Sequence, residues 1–184
     1  KPKHRYTQTT RCASNLKQVA LSFKMFAGDN DGKYPFEVTN SIAYKNDSQA
    51  WLHFLSISNE LGSTKILLCP SDDSVKSRAE DFTDGTNGLA FKKNSALSYF
   101  VGLDAKENQP DSWLAGDGRL GDVGHIHTRS LLFANQNSKL RWHQPIHDDR
   151  PNVALASIAN VRGSNFVSGA IWPNNKSNRL LLPE

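Results

Sequence analysis

Near the start of the chain, apolar residues recur at the spacing of one helical face. Leu16, Val19, Ala20, Phe23 and Ala27 stand at i, i+3, i+4, i+7 and i+11. Leu21 and Met25 widen the stripe, which predicts a helix from Arg11 to Gly28 covered by a sheet rather than by one partner helix. Such a helix is roughly 27 Å long at 1.5 Å per residue. Burying each of its larger apolar side chains is worth about 1.5–3 kcal/mol, far more than propensity supplies. Gly28 sits where a C-terminal cap is expected, Asp29-Asn30-Asp31-Gly32 is turn chemistry, and Pro35 prevents resumption. Pro2 bars an undistorted helix through the very start, or kinks one arriving from upstream.

Beyond the turn, Tyr34 to Ala43 reads as extended. Trp51, Leu52, Leu55 and Leu61 fit a helical period over Gln49 to Leu61, with Asp47 or Ser48 as cap and Gly62 as stop. Lys65 to Cys69 is a compact apolar run ended by Pro70 and predicts a strand. Asp73 to Asn94 is a polar excursion with Asp84-Gly85 and Asn87-Gly88 turn pairs and a short helical piece around Val75 to Phe82. Ala96 to Leu103 is the clearest strand, aromatic and β-branched. Ser112 to Asp117, Ser130 to Ala134 and Asn152 to Ser157 follow as further strands. One long helix and then a meander of short strands implies an α+β fold with an antiparallel sheet. The division expected is a single domain over 1–184, with 1–30 as helix and 31–184 as a loop-rich β-sheet head.

Composition changes this picture only slightly. A hydrophobic fraction of 38% suits one loop-rich globular domain with a modest core. No stretch approaches the ~20 apolar residues of a membrane span. The net charge of +4 owes much to Lys1, Lys3, Arg5 and Arg11. A basic cluster ahead of an amphipathic helix suits nucleic acid or the collar of a membrane segment. No basic stripe with interleaved aromatics follows, so the collar is favoured and nucleic acid is not an expected partner. The polar, basic start without an initiator Met reads as part of a longer precursor.

Candidate chemistry is sparse. Cys12 and Cys69 are too few for a zinc site; one disulfide or two buried thiols both fit, and a bridge would staple the helix to the first strand. His125-Ile126-His127 and the pair His143 and His147 invite a metal reading, but Pro145 interrupts the second pair and no His-Glu-x-x-His is present. Asp104, Asp111 and Asp117 read as turn caps sooner than as a carboxylate cluster. Gly116, Gly118, Gly121 and Gly124 lack the context of a phosphate loop. With no Gly-x-Ser-x-Gly, and with Cys69 followed by Pro70, nucleophilic catalysis has no support. The chain is not expected to be an enzyme.

Four ordered elements resemble a known family: Cys12-Ala13-Ser14-Asn15-Leu16-Lys17-Gln18-Val19-Ala20-Leu21 with Asp29-Asn30-Asp31-Gly32-Lys33-Tyr34-Pro35; Cys69-Pro70-Ser71-Asp72; Ser98 to Ala105; and Gly116-Asp117. Together they are similar to bacterial type IV pilin-like and type II secretion pseudopilin-like proteins, whose precursors carry an N-terminal cleavage and methylation segment. The resemblance implies a pilin-like fold, a long N-terminal helix whose lower half packs on an antiparallel sheet. It implies an upstream hydrophobic half-helix anchored in the inner membrane, a head in the periplasm or in an extracytoplasmic filament, and processing by a prepilin peptidase. The function implied is a structural subunit acting by polymerisation with itself and with other pilin-like subunits. Leu16, Val19, Phe23 and Ala27 would then form the helix–sheet seam. No cofactor is required. Calcium is the one ion to test, since major pseudopilins hold it near the C-terminus, and Asp148 and Asp149 are the better-placed pair. The sequence departs from the pattern where Ser157-Ile158 replaces an Asp-Gly turn and where Gly116-Asp117-Gly118-Arg119 replaces Gly-Asp-Arg-Asn, so no role is carried to that turn. An alternative is an envelope-anchored module that binds glycan or peptide through C-terminal loops bearing Trp113, Trp142 and Trp172. A third reading is a metal-dependent hydrolase built on the C-terminal histidines.

Overall fold

A computed structural model describes residues 2–73, 75, 77–118, 120–122, 131–134, 140–142, 152–157, 160–162, 166–167 and 178–183. The first element, α1, spans Pro2–Gly28, nine residues longer at its start than the apolar pattern predicts. Pro2 is tolerated there because first-turn N–H groups have no intrahelical partner to lose. The added turns are polar, so no periodicity marks them. Leu16, Val19, Phe23 and Ala27 are fully buried, whereas Leu21 and Met25 are about half exposed and do not widen the buried stripe. Gly28 is the last helical residue, not the cap. The chain reverses at Asp31 and Gly32, with φ of 55° and 72°, and the Gly32 N–H donates to the Ala27 carbonyl at 2.8 Å. A side chain at position 32 would also meet the Glu107 carboxylate.

The segment after the turn is not extended. Successive turns close it, with Glu37 N–H donating to Tyr34 O, Ser41 N–H to Val38 O and Tyr44 N–H to Ser41 O, and they bury Tyr34 and Phe36. The second helix is split into α2 (Ala50–Ser56) and α3 (Ser58–Leu61). Gly62 stops α3 in the left-handed conformation, at φ 65°. Neither Asp47 nor Ser48 caps α2. Asn46 Oδ1 instead accepts from the N–H groups of Ser48 and Gln49. The apolar run expected to be a strand is a 3-10 turn over Thr64–Leu67, opened by Ser63 Oγ accepting from Lys65 N–H. The described residues between Val75 and Phe82 are not helical. A short helix, α4, lies instead at Leu89–Lys92.

Nine strands follow among the described residues: β1 (Tyr99–Gly102), β2 (Trp113–Asp117), β3 (Leu120–Asp122), β4 (Leu131–Ala134), β5 (Leu140–Trp142), β6 (Asn152–Leu155), β7 (Asn160–Arg162), β8 (Phe166–Val167) and β9 (Asn178–Leu181). They form an antiparallel sheet in the order β4-β9-β1-β2-β6-β7 and a smaller one in the order β3-β5-β8. The class is α+β, as expected from the element pattern. The topology is not a simple meander, because the C-terminal strand β9 inserts between β4 and β1.

Strand alternation sends side chains to two cores. Tyr99, Val101, Leu114, Ala154 and Leu181 join the cluster that contains Leu16, Val19 and Phe23 of α1. Phe100, Trp113, Leu120, Leu132, Val153, Leu155, Leu180 and Leu182 form the second cluster. The larger sheet is therefore buried on both faces, one of them against α1, which contacts β2 and β6. Gly116 stands opposite Phe100 in the β1–β2 register, and a Cβ there would lie 2.6 Å from the Phe100 ring. Glycine is what lets that ring cross the strand.

Candidate functional site

The buried face of α1 meets β2 and β6 of the sheet, and also α3 and the 3-10 turn. Phe23 meets Phe54 and Tyr34 edge-on, with ring centroids 5.9 and 6.3 Å apart. Polar contacts fix its register: Ser22 Oγ donates to Glu60 O at 3.1 Å, and Asn15 Nδ2 donates to Leu68 O at 2.8 Å. Nearer the start of α1 than either, Cys12 is joined to Cys69 in a disulfide. The bridge ties α1 to a residue two positions past the 3-10 turn rather than to a strand. At the exit of the helix, Lys24 lies 4.0 Å from Glu107. Burial, then Glu107 and Glu37, raise the Tyr34 hydroxyl's pKa.

The opposite side of α1 has its own spacing. Ser14, Gln18, Leu21, Met25 and Gly28 follow one another at four, three, four and three residues, and all five are exposed. Leu21 and Met25 are one turn apart and form the apolar centre of this stripe. The apolar pattern alone assigns Leu21 and Met25 to a wider core face, and their exposure corrects that. The signal that separates them is the second four–three rhythm, offset from that of Leu16, Val19, Phe23 and Ala27. No helix of the described residues is long and apolar enough to cross a membrane.

The other sequence candidates do not converge. Asp104 Oδ2 accepts from Arg179 N–H at 2.6 Å and Oδ1 from Arg179 Nη2 at 2.8 Å, which joins the β1 exit to β9. The same carboxylate holds the Arg179 guanidinium more firmly protonated than usual. Asp117 is buried and accepts from the Asn152 N–H, while Asp111 is exposed. Asp104 and Asp117 anchor strand ends, and no group of three metal-binding side chains occurs among the described residues. Trp113 is buried and stacked on Phe100, so it is not displayed for a ligand. The Trp142 side chain, Trp172, His125, His127, His143, His147, Asp148 and Asp149 lie outside the described residues.

His53, which carried no role in the sequence reading, is fully buried in α2. Its Nε2 lies 3.0 Å from Asn46 O, which requires Nε2 to carry the hydrogen and leaves Nδ1 bare. Nδ1 has no hydrogen-bond partner among the described residues. Burial lowers its pKa to about 4, against a smaller opposing effect of the Asn46 carbonyl.

Comparison with protein-family models, curated proteins and solved structures finds no match to this chain. The functional reading therefore rests on the motifs and on the geometry of α1.

Proposed function

We propose that this chain is a structural, pseudopilin-like subunit that acts by polymerisation. The observation that supports it is the division of α1 into two opposed faces: one is stapled and packed into the head, the other is solvent-exposed with Leu21 and Met25 at its centre. A helix held rigidly along one side can present the other to a neighbouring helix at a fixed angle, which is what a helical filament requires of a repeating subunit. The four ordered motifs point the same way. In this reading the protein is anchored in the inner membrane by a hydrophobic half-helix upstream of Lys1. The precursor is processed by a prepilin peptidase, the head lies in the periplasm or in an extracytoplasmic filament, and the partners are further copies and other pilin-like subunits.

The test uses the full-length precursor in its own cells. Both native cysteines are bonded, so Leu21→Cys or Met25→Cys supplies a lone thiol on the exposed face. A short bismaleimide should then link subunits into dimers through that position, while Lys45→Cys, at an exposed turn outside α1, should not. Monomer alone at positions 21 and 25, or a coding sequence with no apolar segment ahead of Lys1, would remove the filament role.

A further inference from the structure

A cleft of about 540 Å³ is lined by Asn15 of α1 and by Leu68 and Pro70, the neighbours of Cys69. The apolar part of its lining is Leu68 and Pro70, on either side of Cys69, together with Ala79. Its walls are pinned. Asn15 Nδ2 donates to Leu68 O, Thr64 Oγ1 donates to Ala79 O at 2.7 Å, and Lys92 Nζ donates to Arg78 O at 2.5 Å. These hydrogen bonds hold the lining in place before any ligand arrives, and the volume lies in the range of small-molecule sites.

The rim decides the ligand's charge. Lys65 and Arg78 line the cleft and are exposed, and neither is paired with a carboxylate among the described residues. Glu80, the one acid among the described lining residues, is turned to Asn87, whose Nδ2 donates to its Oε2 at 3.2 Å. We infer that this cleft binds a carboxylate with an apolar body. The body rests on Leu68, Pro70 and Ala79, and the carboxylate lies between Lys65 and Arg78. The chemistry is shared by a free organic acid and by an acidic residue of a peptide flanked by apolar ones. The inference is independent of the filament reading.

Four probes test it by amide chemical-shift mapping on the oxidised protein: 4-phenylbutyrate, its neutral counterpart 4-phenylbutanol, acetyl-Phe-Glu-Phe-amide and acetyl-Phe-Gln-Phe-amide. The anionic probes should give saturable shifts at Asn15, Lys65, Leu68 and Ala79, and the neutral ones weaker binding. Lys65→Gln and Arg78→Gln, both surface changes, should each weaken the anionic probes roughly two- to fivefold, as expected for exposed charge pairs. Tighter binding of the glutamate peptide than of phenylbutyrate assigns the cleft to a protein segment; the reverse order assigns it to a free acid. Equal binding of neutral and anionic probes, shifts elsewhere, or an unchanged double variant Lys65→Gln/Arg78→Gln overturns the inference.

Discussion

The two faces of α1 share a sequence rhythm and differ in everything else. On one face, Leu16, Val19, Phe23 and Ala27 lose all contact with solvent, and Cys12 is bonded across to Cys69. On the other, Leu21 and Met25 stay about half exposed, flanked by Ser14, Gln18 and Gly28. Leu16 and Leu21 have the same side chain and opposite fates. Apolar character alone therefore does not say what a helical position does. Aromatic partners, a cysteine bridge and hydrogen bonds such as Ser22 to Glu60 mark the side that holds the fold.

The comparison breaks most visibly at Phe23. Its ring packs against Tyr34 and Phe54 in a fully buried site. Phe23→Ala should cost about 3–5 kcal/mol, the range for emptying a buried aromatic site. Denaturant melts at constant m value would show it; a loss below about 1 kcal/mol would mean that the helix is not part of the cooperative core. The bridge comes next. Cys12 and Cys69 are 57 residues apart, and closing a loop of that length limits the unfolded chain by about 4 kcal/mol in the chain-entropy model. Cys12→Ala/Cys69→Ala should lose that much, and a reducing agent should lower the wild-type melting temperature but not that of the double variant.

A smaller effect tests whether the layer behind the buried face tolerates charge. His53 sits 5.9 Å from Phe36 between ring centroids, with Nδ1 unpartnered among the described residues. Protonation would place a donor there with nothing to receive it. The folded-state pKa of about 4 lies below the ordinary 6.5, so the unfolded chain takes up the proton first. The contribution is complete above about pH 6.5 and is lost as pH falls through the interval down to about 4. The total is about 3 kcal/mol, from the size of the shift. His53→Gln should flatten this part of the stability–pH curve; a wild-type slope that survives the substitution would assign it to other groups.

Legibility in the sequence followed how many independent signals agreed at a position. For α1, dense three–four spacing and an Asp-Asn-Asp-Gly exit coincided, and β1, β2, β4 and β6 were marked by aromatic, β-branched or alternating residues. Ile66-Leu67-Leu68 is as apolar as any buried strand. It is nevertheless 3-10 and bend, because Ser63 opens a turn and the bridge at Cys69 directs the chain toward α1 rather than into a sheet. The opposite error occurs at β9. Arg179-Leu180-Leu181 is too short to show a period and stops at Pro183, yet it lies inside the sheet, held by Asp104, whose Oδ2 accepts from Arg179 Nε and whose Oδ1 accepts from Nη2. That pairing spans 75 residues, and nothing local announces it. The cleft is hidden for the same reason, since Asn15, Leu68 and Ala79 meet only after the chain has folded.

The smallest effect on stability is the most informative about function. Leu21→Ser/Met25→Ser removes the apolar centre of the exposed face without opening a cavity, because neither side chain is enclosed. Surface substitutions of this kind fall within about 0.5 kcal/mol, so the isolated chain should melt almost as the wild type does. Leu16→Ala, on the other face, should lose about 2–5 kcal/mol. If the exposed stripe is a subunit contact, the double serine variant should fold and accumulate normally in cells yet fail to form the crosslinked species reported through a cysteine at position 18. If instead it destabilises the isolated chain as severely as Leu16→Ala, then Leu21 and Met25 belong to the core after all, and the two faces are one. Equal folding with undiminished crosslinking would keep the faces distinct but show that Leu21 and Met25 do not hold the contact.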